Sequence, residues 1–179
     1  DNFIDQNTIL FLSRSLNYYY SKEDRIKTIT MLKNILNTNP NLKLAIKLHP
    51  KEDSHIGKKI YTRILGKEFL NKKWIFSNLN PVIAGKNCKF VITVFSGLVI
   101  DMILLKKPVI ELLNLDNKDI IYDNYFIDEN DNKVFELRNY KLVYGASNQI
   151  QLNDHISYLM NNYNESVKNL SVNFSKYFE

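Results

Sequence analysis

Cysteine is almost absent. Cys88 is the only one in 179 residues, which excludes an internal disulfide and any zinc site built from several thiolates. A lone cysteine beside an apolar strand reads as a small buried hydrophobe. No apolar run approaches the roughly 20 residues that a membrane-crossing helix needs, and no basic segment leads into a short apolar stretch with a cleavage site. A soluble, cytoplasmic domain is the expectation. Glycine (five) and proline (four) are scarce, so the chain offers no flexible linker or low-complexity tract, and residues 1–179 are expected to form one domain. There is no GxGxxG fingerprint, no Walker A loop and no GxSxG elbow, which argues against dinucleotide dehydrogenases, P-loop NTPases and serine hydrolases. His55 and His155 show no metal-ligand spacing with each other or with His49. The polar run from Asp128 to Asn132 lacks the glycine and glutamate of a calcium loop, so no metal site is expected.

What is present begins with charge. A net charge of +5 suits an anionic partner such as a phosphate ester, a nucleotide or the inner face of a membrane. The lysines are spread along the chain and read as solvated helix faces, so nucleic acid is not expected as a partner.

Periodicity gives the order of elements. Thr8 to Leu12 is a continuous apolar run, as in a strand buried on both faces of a parallel sheet. Ser21 and Asp24 form a capping pair ahead of Ile26, Ile29, Leu32, Ile35 and Leu36 at helical spacing, and Asn39-Pro40 stops that helix. Leu42 to Leu48 alternates as a strand and ends at His49-Pro50. A helix from Ser54 to Leu65, a strand at Trp74 to Phe76 and a short helix opened by Asn80-Pro81 follow. Phe90 to Phe95 is the most apolar strand and should be central. Leu98 to Leu105 reads as a buried helix, and Pro108 to Leu112 as the next strand. Beyond Asn114 the pattern weakens to a hairpin over Ile127 to Phe135, a short strand at Leu142 to Tyr144, and terminal helices from Asn148 and Asn164. Strands alternating with helices predict an α/β, Rossmann-like parallel sheet covered on both faces. The chain opens at Asp1 without Met, and its first apolar stretch is a core strand rather than a leader. A piece of a longer protein is therefore expected.

In such sheets ligands sit outside the carboxyl ends of the strands, which directs attention to three places. Ser13, Arg14 and Ser15 follow the first strand. Lys47, His49 and Pro50 end the second, with the histidine held extended by the proline. Ser96-Gly97 opens a helix, where free N–H groups favour a phosphate and glycine allows close approach. Each has a plain structural counterpart: a hydrogen-bonded histidine, an ordinary helix cap, a solvated loop. Their convergence on one rim is what singles them out. The three consecutive tyrosines, Tyr18 to Tyr20, read first as a loop packed on its own domain.

The ordered set Ile46-Lys47-Leu48-His49-Pro50, then Phe95-Ser96-Gly97 with Asp101, then Lys107-Pro108-Val109-Ile110, resembles the C-terminal domains of GT-B enzymes that build bacterial surface polysaccharides. It is most similar to CDP-glycerol glycerophosphotransferases, capsular Kdo-transferases and bacterial sialyltransferases, over about Leu42 to Leu113. The resemblance implies a transferase whose donor is a nucleotide-activated sugar or glycerol of the CMP/CDP type. This C-terminal half would be inactive alone, with no cofactor. It implies a glycan or lipid-linked acceptor bound through an N-terminal domain that also supplies the base, and peripheral association with a membrane. His49 would hydrogen-bond or protonate the donor phosphate as the catalytic residue, and Ser96 with the Gly97 amide would hold that phosphate from the other side. Relatives often carry paired hydroxyl residues where this chain has Phe95-Ser96-Gly97. Asp101 is either a partner of the serine loop or a helix residue. Glu111, at the end of its strand, would accept from ribose hydroxyls or be an ordinary strand-end carboxylate. Two alternatives stand beside this reading: a UDP-sugar 2-epimerase-like domain, and a non-enzymatic module that senses a phosphate or nucleotide.

Overall fold

In a computed structural model, residues 3–116, 118 and 125–178 are described. Strands β1 (Thr8–Leu12), β2 (Lys43–Lys47), β3 (Trp74–Phe76), β4 (Phe90–Thr93) and β5 (Val109–Leu112) alternate with helices α1 (Lys22–Thr38), α2 (Ser54–Leu65), α3 (Pro81–Asn87) and α4 (Leu98–Leu104). A hairpin of β6 (Phe126–Ile127) and β7 (Lys133–Val134), a single turn α5 (Glu136–Asn139), strand β8 (Tyr144–Ala146) and helices α6 (Gln149–Asn161) and α7 (Tyr163–Phe178) complete the chain. The main sheet has the order β3-β2-β1-β4-β5-β8, and every pairing in it is parallel. This is the Rossmann order, whose direction of growth reverses between β1 and β4.

The period-2 alternation of the strands builds two cores. Ile9, Phe11, Leu44, Ile46, Ile92 and Ile110 face α1, α2 and α6. Leu10, Leu12, Ala45, Val91 and Val109 face α3, α4 and α7. Two helix starts follow the sequence signals. Ser21 and Asp24 form the reciprocal capping box on α1, and Asn80 caps α3 with Pro81 in its first turn. Gly66 ends α2 at φ +90°, a conformation that favours glycine.

Some boundaries differ from expectation. β8 begins at Tyr144, because Leu142 and Val143 are spent as buried anchors in the second core. α4 stops at Leu104, which is 63% exposed. Neither α5 nor the 3-10 turn Lys67–Phe69 carries enough periodicity to be expected. Among the described residues, no helix is long and apolar enough to cross a membrane.

Glu111 lies near the end of β5, next to last in the strand and level with Leu12 and Thr93, the last residues of β1 and β4. It is 1% exposed, and its Oε2 has no hydrogen-bond partner. Burial pushes its carboxyl up to about 8, against a smaller opposing pull from Arg138. In the unfolded chain the group ionises near its ordinary 4.5, so from about pH 4.5 to 8 the folded state holds the proton more often. Stability should therefore fall as pH rises through that window, by up to about 1.4 kcal/mol per unit. Glu111→Gln should flatten this slope in urea melts taken at pH 5 and 8; an unchanged slope would show that Glu111 is not its source.

Candidate functional site

Three loops leave the carboxyl ends of β2, β1 and β4, which are neighbours in the sheet. The His49 loop and the Ser96-Gly97 turn thus flank Ser13 to Ser15 on one rim, beside the switch point. The structure brings the three sequence-predicted groups together.

The His49 loop is held from below. Its first bond is local: the Glu52 N–H donates to the His49 carbonyl at 2.9 Å, closing a turn over Pro50 and Lys51. Ser13 is 5% exposed; its hydroxyl accepts from the His49 N–H at 2.8 Å and donates to Glu52 Oε2 at 2.5 Å. That short bond is of the charge-assisted kind. Glu52 in turn meets Arg25 of α1 at 3.2 Å, with both side chains almost wholly enclosed. Arg25 also donates to the Arg14 carbonyl at 3.1 Å. Gly57 permits this burial: a Cβ there would lie 2.9 Å from Glu52 Oε1. Sequence reasoning missed Arg25 and Glu52.

These contacts sort the predicted residues. The Ser13 hydroxyl is committed to the loop and is a positioning group. Arg14 bridges the other side: one guanidinium nitrogen donates to the Phe95 carbonyl at 3.0 Å and another to the Tyr19 hydroxyl at 2.6 Å, and the group lies over both rings. It ties β1's loop to β4's rather than standing free at the rim. Lys47 is half-buried, its carbonyl accepting from the Ser13 N–H. Ser15 is half-buried and Pro50 exposed. Tyr19 and Tyr20 are buried while Tyr18 is half exposed, so the tyrosine loop packs on its own domain. Glu111 shares the sheet row of Lys47, Leu12 and Thr93 but is enclosed, at 1% exposure.

His49 itself is half-buried. Its Nδ1 accepts from the Lys51 N–H at 3.1 Å, which assigns the ring proton to Nε2. Burial first, then the charges of Arg14 and Lys51, hold its pKa below the ordinary 6.5. At pH 7 the ring is therefore a neutral Nε2–H donor. Across from it, the Ser96 hydroxyl accepts from the Leu98 N–H at 3.2 Å, leaving its own proton to donate. Gly97 is exposed, and a Cβ there would meet nothing within 4 Å; the space above it is open. α4 has only seven residues, so individual amides matter here more than a helix dipole. Asp101 is half-buried on α4 and makes no side-chain hydrogen bond or ion pair among the described residues. Further along the rim, beyond β5 and β8, a cavity of about 340 Å³ is lined by Tyr20, Thr28, Leu113, Asp116, Lys118 and Ser147, among others. No group of three or more His, Cys, Asp or Glu suited to a metal occurs among the described residues.

The family model for capsule polysaccharide biosynthesis proteins matches residues 14–113, a span that contains the His49 loop, the Ser96-Gly97 turn and the first loop from Arg14 onward. The chain belongs to that family. No curated protein sequence matches it. Among solved structures, the C-terminal domain of the group 1 glycosyl transferase LpcC from Francisella tularensis has a TM-score of 0.59 at 12% identity, covering 99% of this chain and 89% of that one. The UDP-GlcNAc 2-epimerase from Neisseria meningitidis, bound to UDP-GlcNAc, has a TM-score of 0.59 at 15% identity, covering 92% and 39%. The wall teichoic acid polymerase TagF, soaked with CDPG, has a TM-score of 0.58 at 14% identity, covering 96% and 36%. The chain thus spans about two fifths of the epimerase and polymerase chains. These likenesses show the fold: a Rossmann-like α/β domain of the kind found as the C-terminal half of GT-B transferases.

Proposed function

We propose that this capsule-biosynthesis domain is the donor half of a two-domain transferase, binding a nucleotide-activated sugar or glycerol by its phosphates at the β2-β1-β4 rim. The observation that carries the reading is the His49 ring, proton on Nε2, on the same rim as the Ser96-Gly97 turn. Transfer leaves negative charge on the departing phosphate, and fixed donors aimed at that charge supply the largest expected stabilisation. His49 donates from Nε2, with Ser96 Oγ and the Gly97 amide as the opposing donors. As the phosphate gains charge the imidazolium pKa rises, so the ring can take up a solvent proton on Nδ1, in place of the Lys51 N–H bond, while passing its Nε2 proton to the leaving group and ending neutral. Ser13, Glu52 and Arg25 set the loop's position, and Arg14 fixes its distance from the Phe95 turn. The cavity beyond β5 gives room for a nucleoside. The acceptor and its base belong to an N-terminal domain, and the intact enzyme works at the inner face of the membrane.

A cytidine donor is the preferred form, on the motif resemblance. In thermal-shift titrations CMP and CDP should raise Tm more than UMP and UDP. A uridine preference would move the assignment toward the epimerase-like reading, which product analysis of the intact enzyme then decides. Indifference to all four nucleotides would remove the donor site.

A further inference from the structure

The lysines that look scattered along the sequence are not scattered in space. Lys33 of α1, Lys58, Lys59 and Arg63 of α2, and Lys67 after it line one groove of about 660 Å³, with Glu68 as its only carboxylate. Among the described residues, none of these five cations forms an ion pair, although Lys58 lies 5.6 Å from the centre of the Phe76 ring. The clustering works against the helix that carries it. α2 contains no acidic residue, and Lys59 and Arg63 stand one turn apart as like charges. A bound anion relieves that repulsion.

The lining narrows the kind of anion. Its only ring is the His55 imidazole, with no Phe, Tyr or Trp as a stacking platform for successive bases and no large aliphatic side chain to enter lipid. It is shallow and open, so an extended chain can lie along it. Cations one helical turn apart, about 5–6 Å between Cβ atoms, form a ladder that a regularly charged polymer can follow. We propose that this groove binds a linear acidic polysaccharide, the polymer class that a capsule-biosynthesis protein handles, at a place separate from the nucleotide rim.

The test is fluorescence anisotropy of the 179-residue chain with a fluorescein-labelled oligogalacturonate, at several NaCl concentrations. Binding should weaken with salt and resist competition by neutral dextran. The triple variant Lys58→Gln, Lys59→Gln, Arg63→Gln should weaken it at least tenfold. A control with the same loss of charge elsewhere, Lys22→Gln, Lys86→Gln, Lys168→Gln, should stay within twofold of the parent. Because the groove substitutions remove like-charge repulsion, circular dichroism melts should show both variants folded. Equal weakening in the two variants, or no binding by the parent, would overturn the proposal. So would full displacement by vesicles of 70% POPC and 30% POPG, or by a single-stranded oligonucleotide of equal charge. The nucleotide shifts of the rim are read separately, so failure of one site leaves the other standing.

Discussion

Glu52→Ala should destabilise the chain by about 3–5 kcal/mol in guanidinium denaturation, because it leaves the Arg25 guanidinium enclosed without its counter-charge. Stabilities of domains this size run to about 5–15 kcal/mol, so this one side chain holds a large share. The same substitution removes the acceptor of the Ser13 hydroxyl, and with it the support of the His49 N–H. A paired replacement separates the two effects. Arg25→Met with Glu52→Leu removes both charges and keeps volume, and should recover most of the stability, since buried ion pairs often exchange for apolar pairs at little cost. It should not recover nucleotide affinity, because Ser13 still lacks its partner and the loop is no longer held. Recovery of both would make the pair a packing element with no bearing on the site. A loss below about 1 kcal/mol for Glu52→Ala would contradict the burial on which the argument stands.

The second large effect is on chemistry. In the intact two-domain enzyme, His49→Ala should slow transfer by about 100- to 10,000-fold, the usual contribution of a positioned proton donor. Folding should be nearly unaffected, since the ring is half-buried and its only hydrogen bond among the described residues is to its own loop. His49→Gln keeps an N–H donor but cannot pass on a proton. If donation alone matters, it should restore most of the rate with good leaving groups; if proton transfer matters, it should not. The pKa of His49 is lowered in the free protein, so kcat/KM should hold steady through neutral pH and lose its neutral-imidazole form only below about 6.5. Wild-type rates from His49→Ala would take the ring out of the mechanism.

Much of this site was legible in the sequence because the signals that end strands also mark rims. His49-Pro50 and Phe95-Ser96-Gly97 each close an apolar run, and the order of runs put their ends together. What was not legible depends on contacts between distant segments. Arg25 shares the buried stripe of α1 with Thr28, Ile29 and Leu32, so a charge at an apolar helical position was a usable signal. Which of Lys51, Glu52 and Asp53 would turn inward was not, because only the fold brings Arg25 over that loop; Asp53 is taken up instead as the cap of α2. The enclosure of Glu111 was not legible either, because it follows from how distant segments pack around β5. The basic groove needs α1 beside α2 before its cations add up.

The claim that His49 and Ser96-Gly97 grip one anion is tested most directly by a double-mutant cycle in CDP affinity, measured calorimetrically on the parent, His49→Ala, Ser96→Ala and the pair. Two groups holding the same phosphate should each lower affinity, and their combined loss should differ from the sum by at least about 0.5 kcal/mol. Strictly additive losses, or unchanged binding in either single variant, would mean that the two groups do not share a ligand.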